Sequence, residues 1–563
     1  MAEDFMTAAV KRVEAQFEKS GVSESCAAFE RKENQIEMRD GVKLHTIYYF
    51  PKEDTAEEKT YPVILTRTCY PGNDRIHRAY GEGLARRGYV YVYQYCRGRE
   101  NSEGKWEPNI NERKDGIDTM NYLVEQPWCE ILGYWGHSYT SMTGWAFADA
   151  AEGKVAAMFL EDYGTDRFTS AYEKGCFRHD ILTAWSMENA EKPVNADYRE
   201  SCRYLPQIEV DEALWGQKVP SYREYITSPN PDAALWQTGW WKQLREIPSK
   251  TKVPIYLLSG WYDHHHGSSM KTWERLNEET KQHSWLEIGA WNHFFQICLE
   301  DKEVQHPQNE EIPKMLEWFE LTLKQKEIPT QRIRAYEIGA DRWMDTVSDG
   351  LGEKGTAGSM TLYLDEKTLR TDTPEQEKTR NYTFDPATPV ESIGGEALLH
   401  TMPQIGSHLQ PEPDYREDVL SFVSEPLEET FTLNGKASVR LFVESDCEDT
   451  AFTAKIMEVT PEGKAYNIRS SIATLEQGKT EAGAYEPGSV AEVQITMWNI
   501  VYTISKGSRI RVDVSSSDFP QYHVHSNQKG LWSEKTENKI AHQTIHMGGV
   551  HASCVILPLM KKQ

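Results

Sequence analysis

The chain has 563 residues, of which 39% are hydrophobic and 26% are charged, so it is a globular protein with material for roughly three to four domains. Its net charge of -25 repels the phosphate backbones of DNA and RNA, which argues against a nucleic-acid-binding protein. No apolar run approaches the ~18 residues that a membrane-spanning helix needs, which argues against an integral membrane protein.

The N-terminus and the cysteines indicate a cytoplasmic protein. The first residues, "MAEDFMTAAVKRVEAQFEKSG", mix charges of both signs and lack a basic stretch followed by an apolar run, so we expect no signal peptide. The nine cysteines show neither C-x-x-C spacing nor a Cys/His zinc pattern. We therefore expect free thiols, no metal and no cofactor.

The first third of the chain alternates strands and helices. Residues 4–19 have the pattern of an amphipathic helix, and the turn at Asp40-Gly41 predicts a hairpin. Apolar runs then predict four strands, which are "YPVILTRTCY", "GYVYVYQYCRG", "EILGYWGHS" and "VAAMFLEDYG". Helices are predicted for "DGIDTMNYLVEQPW" and "TSMTGWAFADAAE". This alternation predicts a mostly parallel sheet with helices on both faces.

The remainder of the chain changes character twice. Residues 165–245 are rich in Trp, Tyr and charge and predict a helical insertion without clear strands, after which "VPIYLLSGWYD" and "HSWLEIGAWNH" resume the strands. Beyond about residue 345, short alternating runs separated by turns predict an antiparallel β-sandwich or jelly roll. The predicted domain organisation is an N-terminal helical segment at 1–30, an α/β domain at 31–160 and 249–345, a helical cap at 161–248, and a jelly roll at 346–563.

Three residues at strand ends have the types and the chain order of a nucleophilic triad. Ser138 stands in "GYWGHSYTSMTGW" between a strand and a helix, Asp263 ends "VPIYLLSGWYD", and His293 ends "HSWLEIGAWNH". A serine hydroxyl needs an adjacent base that is oriented by a carboxylate, and this order supplies both. The usual G-x-S-x-G pattern is incomplete, since Thr140 replaces its second glycine. Taken singly, Ser138 is better explained as a helix N-cap, but the three residues together favour the triad.

Several motifs in order resemble the CocE/NonD hydrolases, which include cocaine esterase-like enzymes, α-amino acid ester hydrolases, glutaryl acylases and relatives of X-prolyl dipeptidyl-peptidases. The motifs are "RDGVKLHTIYYFP", "TRTCY", "RGRENSEGKW", "EQPWCEILGYWGHSY", "VPIYLLSGWYD" and "LEIGAWNH", followed by the jelly-roll pieces "YEIGADRW", "FVSEPL", "SSSDFP" and "SCVILPL". The resemblance covers nearly the whole chain after residue 35 and implies an α/β-hydrolase core with a cap and a C-terminal jelly roll.

The resemblance also implies roles for individual residues. Ser138 would be the nucleophile, His293 the base and Asp263 its orienting acid. The oxyanion hole would consist of the Tyr70 hydroxyl and the backbone N–H of Tyr139. The chain departs from the family pattern at three positions, with Cys69 for a proline, Tyr95 for an aspartate and Ser141 for a glycine.

Other residues are candidates for a substrate pocket. Glu161 and Asp162 end the strand after the nucleophile helix, where they are either solvated carboxylates, the interpretation we favour, or a pair that binds a substrate ammonium group. His264, Trp261 and Trp291 flank the predicted acid and base. In the run His264–His266, consecutive side chains point in different directions, so three ligands to one metal are not expected.

These features predict a serine hydrolase that cleaves a small-molecule ester or amide, or a short peptide, through an acyl-enzyme, most simply a carboxylic ester hydrolase. A dipeptidyl-peptidase, an aminoacyl hydrolase and an acylase are alternatives of the same class. A non-catalytic binding protein that uses the jelly roll is the alternative from another class. The acyl group, the leaving group, a role for the His264–His266 run and the oligomeric state, a homo-oligomer included, stay open.

Overall fold

A computed structural model of the chain describes residues 2–52, 59–345, 351, 356–397 and 404–561. Its N-terminal part is built on a ten-stranded sheet, which we call the first sheet. From one edge to the other, the strands of the first sheet are Ala28–Glu37, Lys43–Lys52, Val90–Tyr95, Tyr61–Thr68, Cys129–His137, Val155–Glu161, Ile255–Gly260, Trp285–Gly289, Arg332–Glu337 and Arg342–Asp345.

The middle of the first sheet is parallel and its edges are antiparallel. The strands from Val90–Tyr95 through Arg332–Glu337 run in one direction. The predicted hairpin around Asp40-Gly41 forms one antiparallel edge, by pairing Ala28–Glu37 with Lys43–Lys52. Parallel strands align their carboxyl ends along one edge of a sheet, so residues that follow several strands can meet there.

Helices cover both faces of the first sheet, which explains why its strands are continuous apolar runs. The rear face, as we call it, packs against the helices Ala2–Lys19, Asp74–Arg86 and Glu311–Phe319 through side chains such as Phe17 and Leu316. The front face packs against the helices Glu112–Val124, Tyr139–Trp145, Gly239–Lys250 and His266–Arg275. The helix Asp74–Arg86 has no counterpart among the elements predicted from the sequence. The helix predicted for "TSMTGWAFADAAE" is shorter than expected, since it ends at Trp145.

The predicted helical insertion lies between the strands Val155–Glu161 and Ile255–Gly260. Its helices are Arg167–Ala171, His179–Glu188, Tyr198–Arg203, Val210–Ala213, Pro220–Ile226, Ala234–Gln237 and Gly239–Lys250. It also contains a two-stranded ribbon, Tyr172–Glu173 with Cys176–Phe177, where no strand was predicted. The ribbon is followed by a bridge between Arg178 and Tyr522, so the insertion contacts the C-terminal part of the chain.

Within the described residues, the C-terminal part forms one sheet of thirteen strands, which we call the second sheet. All its strand pairings among the described residues are antiparallel except the one between Thr368–Arg370 and Leu420–Ser424. Residues of Ser438–Ser445 alternate between half-buried and buried, the period-2 pattern of strands that cover a core. The strands are Thr356–Asp365, Thr368–Arg370, Lys378–Phe384, Leu420–Ser424, Phe431–Gly435, Ser438–Ser445, Ala451–Val459, Ala465–Thr474, Ala491–Thr496, Ile500–Ile504, Arg509–Ser515, Ala541–Met547 and Cys554–Met560.

The predicted fold class, an α/β-hydrolase core followed by a β-rich C-terminal domain, is confirmed. One motif lies elsewhere than expected. The residues "YEIGADRW", which resemble the jelly roll of the family, fall in Arg332–Glu337 and Arg342–Asp345 and extend the first sheet. The predicted domain boundaries remain predictions. Among the described residues, no helix is long and apolar enough to cross a lipid bilayer, and none of the nine cysteines is in a disulfide.

Candidate active site

Ser138 occupies a sharp turn between the strand Cys129–His137 and the helix Tyr139–Trp145. Its backbone has φ 56° and ψ -125°, a conformation that L-residues rarely adopt and that aims the side chain out of the turn. A Cβ on Gly136 would lie 2.2 Å from the Thr140 carbonyl oxygen, so only glycine fits there. The Ser138 side chain makes no capping hydrogen bond to the helix, which removes the N-cap explanation for this serine.

Thr140 explains how the turn forms without its second glycine. Its hydroxyl accepts a hydrogen bond from the His137 N–H (2.6 Å) and donates one to the His137 carbonyl (2.7 Å). The Tyr134 hydroxyl donates to the Thr140 carbonyl at 2.8 Å. The close approach of helix and strand therefore depends on Gly136, and the threonine hydroxyl holds the backbone of the turn.

The three strand-end residues form one hydrogen-bonded chain. Ser138 Oγ lies 2.9 Å from His293 Nε2, and His293 Nδ1 lies 2.5 Å from Asp263 Oδ2. The other carboxylate oxygen of Asp263 accepts the His265 N–H at 2.7 Å. Asp263 and His293 are buried. This arrangement lets His293 take the Ser138 proton while Asp263 stabilises the imidazolium.

The loops that carry the acid and the base are fastened to each other. The Trp261 N–H donates to the Gly289 carbonyl (2.8 Å), and the Tyr262 N–H donates to the Trp291 carbonyl (3.2 Å). A Cβ on Gly260 would lie 2.2 Å from that same Trp291 oxygen. Glycine at this strand end therefore allows the two loops to approach closely enough for the His293–Asp263 bond.

Two histidine rings pack closely against His293, and a third, that of His265, lies 5.9 Å away by ring centroids. The His264 ring centroid is 4.2 Å and the His137 ring centroid 4.7 Å from the His293 centroid. His137 Nε2 donates to the His293 carbonyl at 2.9 Å. Burial lowers the pKa of both His137 and His264, and the charge of His293 lowers that of His264 further. Both neighbours are therefore neutral, so they add no positive charge beside the base.

The three side chains of the run His264–His266 contact three different partners. His264 packs on His293, His265 Nδ1 lies 2.9 Å from Ser170 Oγ, and His266 Nε2 donates to the Asn499 carbonyl at 3.1 Å. Ligating atoms come within 4.8 Å of one another in two groups of the described residues, His137–Asp162–His293 and Asp263–His264–His293. Both groups include His293, whose ring nitrogens bond Ser138 and Asp263. A metal bound there would displace the triad contacts, so we assign it no catalytic role.

Tyr70 and Tyr139 are the predicted oxyanion donors, and their rings lie 6.2 Å apart by centroids. Burial raises the pKa of Tyr70, and hydrogen bonds with the side chains of Trp185 and Ser138 partly offset that rise. The Tyr139 hydroxyl is held elsewhere, because it donates to Glu112 Oε1 (3.0 Å) and accepts the Asn109 N–H (2.8 Å). The Tyr139 N–H opens a helix and so has no carbonyl one turn earlier to bond. Both predicted oxyanion donors thus adjoin the serine.

An aromatic cluster continues from this side of the site. We call Tyr70, Trp106, Tyr139 and Trp185 the aromatic cluster; Tyr139 stacks on Trp185 with centroids 5.8 Å apart, and Trp106 lies 5.9 Å from Trp185. The Arg99 guanidinium lies 3.5 Å from the Trp106 centroid. Trp106 and Trp185 were not predicted. Trp106 ends the motif "RGRENSEGKW" and could have been found there, whereas Trp185 lies in the insertion without any motif.

The preferred interpretation of Glu161 and Asp162 as solvated carboxylates is wrong. Both are fully buried. Glu161 Oε2 accepts the Trp135 indole N–H at 2.9 Å among the side chains of the rear face, away from the Ser138 hydroxyl. Asp162 lies behind the triad, with Oδ2 3.6 Å from His137 Nε2. Asp162 lies close to Asp263 and His293. Asp263 stands in the loop of residues 261–265, which we call the acid loop. The sequence of the strand Val155–Glu161 alone could not reveal that loops so distant in the chain lie beside its end.

The predicted pocket residues Trp261 and Trp291 are core residues. Both are fully buried. The Trp261 indole donates to the Tyr336 carbonyl at 2.7 Å, and the Trp291 ring fills the space beside Gly289 on the rear face. His264, also proposed for the pocket, is 2% exposed and packs on His293. These three side chains are buried, so they pack against other residues of the protein and present no surface to a substrate.

Contacts with the C-terminal part of the chain hold the acid loop in place. Arg178 donates to the His264 carbonyl (3.1 Å) and to the Glu396 carbonyl (2.9 Å), which joins the loop to the C-terminal part of the chain. Arg469 bonds the Glu396 carboxylate and donates to the Asn499 carbonyl (2.7 Å). Next to Asn499, the Trp498 ring would lie 2.3 Å from a Cβ on Gly267, so it packs directly on the helix that follows the acid loop.

Comparisons with known proteins agree with this architecture. Residues 40–295 match the family described as X-Pro dipeptidyl-peptidase (S15 family). Residues 329–556 match the family described as the X-Pro dipeptidyl-peptidase C-terminal non-catalytic domain. The chain is similar to a cocaine esterase from Rhodococcus sp. (strain MB1 Bresler), with 27% identity over 94% of this chain and 98% of that protein.

Two solved structures share the fold over nearly their whole length. A selenomethionine-labelled α-amino acid ester hydrolase superposes with a TM-score of 0.81 at 21% identity, covering 95% of this chain and 97% of that one. An aminopeptidase from a marine sediment archaeon, Thaumarchaeota archaeon, superposes with a TM-score of 0.80 at 21% identity, covering 95% and 96% of the two chains. At this identity the likeness is one of fold.

Proposed function

Because this chain belongs to the CocE/NonD family of serine hydrolases (S15 family), we propose that it is a carboxylic ester hydrolase whose nucleophile is Ser138. The hydrogen-bonded chain from Ser138 Oγ through His293 to Asp263 carries this proposal. The left-handed backbone of Ser138 supports it, since that conformation presents the hydroxyl to a substrate rather than to the helix.

In the acylation step, Ser138 Oγ attacks the carbonyl carbon of the ester while His293 Nε2 takes its proton. The negative charge that develops on the carbonyl oxygen faces the Tyr70 hydroxyl and the Tyr139 N–H. Asp263 accepts the Nδ1–H of His293 and offsets the positive charge of the imidazolium. Collapse of the intermediate expels the alcohol, which leaves with the proton that His293 returns.

Deacylation repeats the same chemistry with water. His293 removes a proton from a water molecule, the hydroxide attacks the acyl carbon, and the oxyanion is stabilised by the same two donors. Ser138 Oγ is then the leaving group and regains its proton from His293. The neutral state of His137 and His264 supports this cycle, because imidazolium ions there would oppose the protonation of His293.

Neutral acyl groups fit the site better than acyl groups with a free amine. Glu161 and Asp162, the acids that were candidates for an ammonium pair, are fully buried and do not face an open pocket. The aromatic cluster supplies apolar surface next to the oxyanion donors, and rings of this kind bind apolar acyl or alcohol groups. The likeness to cocaine esterase, the name of which describes an esterase, supports the same choice.

An aminopeptidase-like activity is the second candidate, and one residue favours it. Glu188 is exposed and ends the helix His179–Glu188, which also carries Trp185 of the aromatic cluster. Burial raises the pKa of Tyr70, and the charge of Glu188 adds slightly to that rise. A carboxylate in that place could pair with the α-amine of a peptide. The likeness in fold to the archaeal aminopeptidase fits this candidate as well.

A labelling and substrate experiment tests the proposal. We expect a fluorophosphonate probe to label the wild type and not Ser138→Ala, with the added mass on the peptide that contains residue 138. We expect p-nitrophenyl acetate, butyrate and benzoate to be hydrolysed with a higher kcat/KM than aminoacyl or glycyl-prolyl p-nitroanilides. Labelling of another residue would overturn the assignment of Ser138 as the nucleophile.

The second candidate is tested with the same substrates. A preference for free-amine substrates over their N-acetylated forms, lost in Glu188→Gln and retained in the exposed control Glu191→Gln, would move the protein to the peptidase side of the family. We expect instead that Glu188→Gln leaves the hydrolysis of neutral esters within about twofold, since a neutral acyl group gives this carboxylate nothing to pair with.

A further inference from the structure

Two buried carboxylates follow neighbouring strands behind His293. Asp162 follows Val155–Glu161 and Asp263 follows the turn after Ile255–Gly260, two strands that pair in parallel with Glu161 opposite Leu258. The Asp162 N–H donates to the Leu258 carbonyl at 2.9 Å, which continues the pairing to the sheet edge. Both side chains therefore reach the same region below His293.

The two carboxylates differ in how they are satisfied. Asp263 uses both oxygens, one for His293 Nδ1 and one for the His265 N–H. Neither oxygen of Asp162 makes a hydrogen bond of normal length and angle within the part of the chain that the structure describes, although the residue is fully buried. Its polar neighbours are the Gly260 backbone and His137 Nε2, which lies 3.6 Å from Oδ2. Its ligating atom lies within 4.8 Å of ring nitrogens of both His137 and His293. A buried carboxylate without normal hydrogen bonds is destabilising unless it has a use or carries a proton.

We propose that Asp162 is a positioning residue for His293, a second carboxylate that takes over from Asp263 when the latter is lost. In the resting enzyme Asp162 carries a proton, so a single negative charge, that of Asp263, faces the imidazole. When Asp263 is removed, Asp162 releases its proton to solvent and accepts the Nδ1–H of His293. This inference rests on the triad proposed above.

The electrostatics around Asp162 support the sharing of one charge. Burial raises the pKa of Asp162 well above its usual range, and the negative charge of Asp263 raises it further. The charge of His293 and the Gly260 backbone act in the opposite direction. Two close carboxylates behave as a pair in which ionisation of one suppresses that of the other. Loss of Asp263 therefore favours the ionised form of Asp162.

Burial of the neighbouring titratable groups is also consistent with a single negative charge shared by Asp162 and Asp263. Two other titratable side chains close to Asp162 are His137, whose pKa burial lowers, and Glu161, whose pKa burial raises. Neither supplies a charge that would hold Asp162 ionised in the presence of Asp263. The positive φ of Asp162, 48°, lies in the left-handed region that aspartate tolerates better than most residues.

A double-mutant cycle tests the proposal. Removing the acid of a triad ordinarily lowers the rate by about 10⁴. We expect Asp263→Ala to lower kcat by only about 10²–10³, with KM little changed, because Asp162 replaces the lost acid. We expect Asp162→Asn alone to lower kcat by less than about fivefold. The variant with both changes should fall to about 10⁴–10⁵ below the wild type.

Glu161→Gln is the matched control, because Glu161 is the adjacent buried carboxylate but faces the rear of the sheet. It should have the same small effect on kcat in the wild type and in Asp263→Ala. A purely structural role of Asp162 would likewise give an additive cycle, and additivity would overturn the proposal. Near-UV circular dichroism verifies that each variant is folded, and Asp263→Asn replaces Asp263→Ala in the same cycle if the alanine variant does not fold.

The outcomes separate this inference from the proposed function. If Ser138→Ala is inactive and Asp263→Ala is as slow as the double variant, the triad stands and the second carboxylate is refuted. If Asp263→Ala is fully active while Asp162→Asn is not, Asp162 is the primary acid and both the assignment of Asp263 and this inference fail. A harmless Asp162→Asn that becomes severe only without Asp263 supports both.

Discussion

The two sheets of this protein contribute to the site in different ways. The parallel strands of the first sheet end along one edge. The candidate reacting groups all follow those strand ends, namely the nucleophile, the base, the acid and the oxyanion tyrosine. These groups do not come from the second sheet. That sheet and its loops supply Arg469, Trp498 and the Asn499 carbonyl, which hold the acid loop in place.

The difference follows from strand direction. Strands that run in parallel bring their carboxyl ends together, so residues far apart in sequence, such as Ser138 and His293, can meet. Antiparallel strands send successive ends to opposite edges, so their loops separate. A parallel sheet is therefore suited to assembling reacting groups, and an antiparallel sheet to presenting a stable surface against which a loop can be fixed.

The largest expected effect comes from removing the nucleophile at the edge of the first sheet. Ser138→Ala should lower kcat by about 10⁶, since a triad without its nucleophile retains only what binding and the oxyanion hole provide. Ester hydrolysis under saturating substrate measures this. Thermal stability should be nearly unchanged, because the serine side chain makes no capping bond to the helix. Residual activity within about tenfold of the wild type would place the nucleophile elsewhere.

The support from the second sheet is broken most directly at Arg469, which is 1% exposed and bonds the buried Glu396. Burial lowers the pKa of Arg469 to about 10, so it stays charged at neutral pH. Arg469→Met leaves Glu396 buried without a counter-charge and should destabilise the protein by about 3–5 kcal/mol, measured by urea unfolding. Arg416→Met, which breaks the half-buried pair with Asp418, is the control and should have a smaller effect.

Next in size is the oxyanion contact. Tyr70→Phe should lower kcat by about 10²–10³, because it removes one donor aimed at the developing negative charge and leaves the ring in the aromatic cluster. The free energy of unfolding should change by less than about 1 kcal/mol. Tyr89→Phe is the matched control for loss of a tyrosine hydroxyl, because the Tyr89 hydroxyl bonds Glu320 away from the site. An unchanged kcat in Tyr70→Phe would mean that another group is the donor.

The smallest expected effect concerns the rear face of the first sheet. Burial raises the pKa of Glu311 to about 7, partly offset by the charge of Arg12. A carboxyl whose folded pKa exceeds its unfolded value binds more protons when folded, so its contribution to stability is complete below about pH 4.5 and is lost as the pH rises to about 7. The loss should be on the order of 1–3 kcal/mol.

Glu311→Gln tests this contribution, since the amide cannot ionise. We expect the wild type to lose more thermal stability than Glu311→Gln between about pH 5 and pH 8. Glu317→Gln on the same helix is the control, because the side chain of Glu317 is exposed and its replacement should leave the pH dependence unchanged. Equal pH dependence in the wild type and Glu311→Gln would refute the raised pKa.

Much of the candidate site could be predicted from the sequence, because its residues are tied to strand ends. Ser138, Asp263 and His293 each follow an apolar run that forms a strand of the first sheet, and the order of their types matches a triad. The role of Tyr70 has no such local signal and came from the resemblance to the family. Thr140, which breaks the glycine pattern, is explained only by the hydrogen bonds of its hydroxyl with His137.

The residues that were missed or misjudged depend on contacts between distant segments. Trp185 reaches the aromatic cluster from the helical insertion, whose path over the sheet has no signature in its sequence. Asp162 is acidic and follows a strand, which is compatible with exposure or burial. Asp162 is buried at an edge of the sheet where the segments that carry Asp263, His293 and His137 also meet.

The sequence by itself determined the class of the protein and the identity of the candidate reacting groups, because hydrophobic periodicity and residue order are local properties that survive without a three-dimensional frame. Only the tertiary structure decided the environment of those groups. Whether a carboxylate such as Asp162 is solvated or buried depends on which segments cover it. The environment sets the free energy of each charge, and burial depends on contacts between residues that the linear order does not specify.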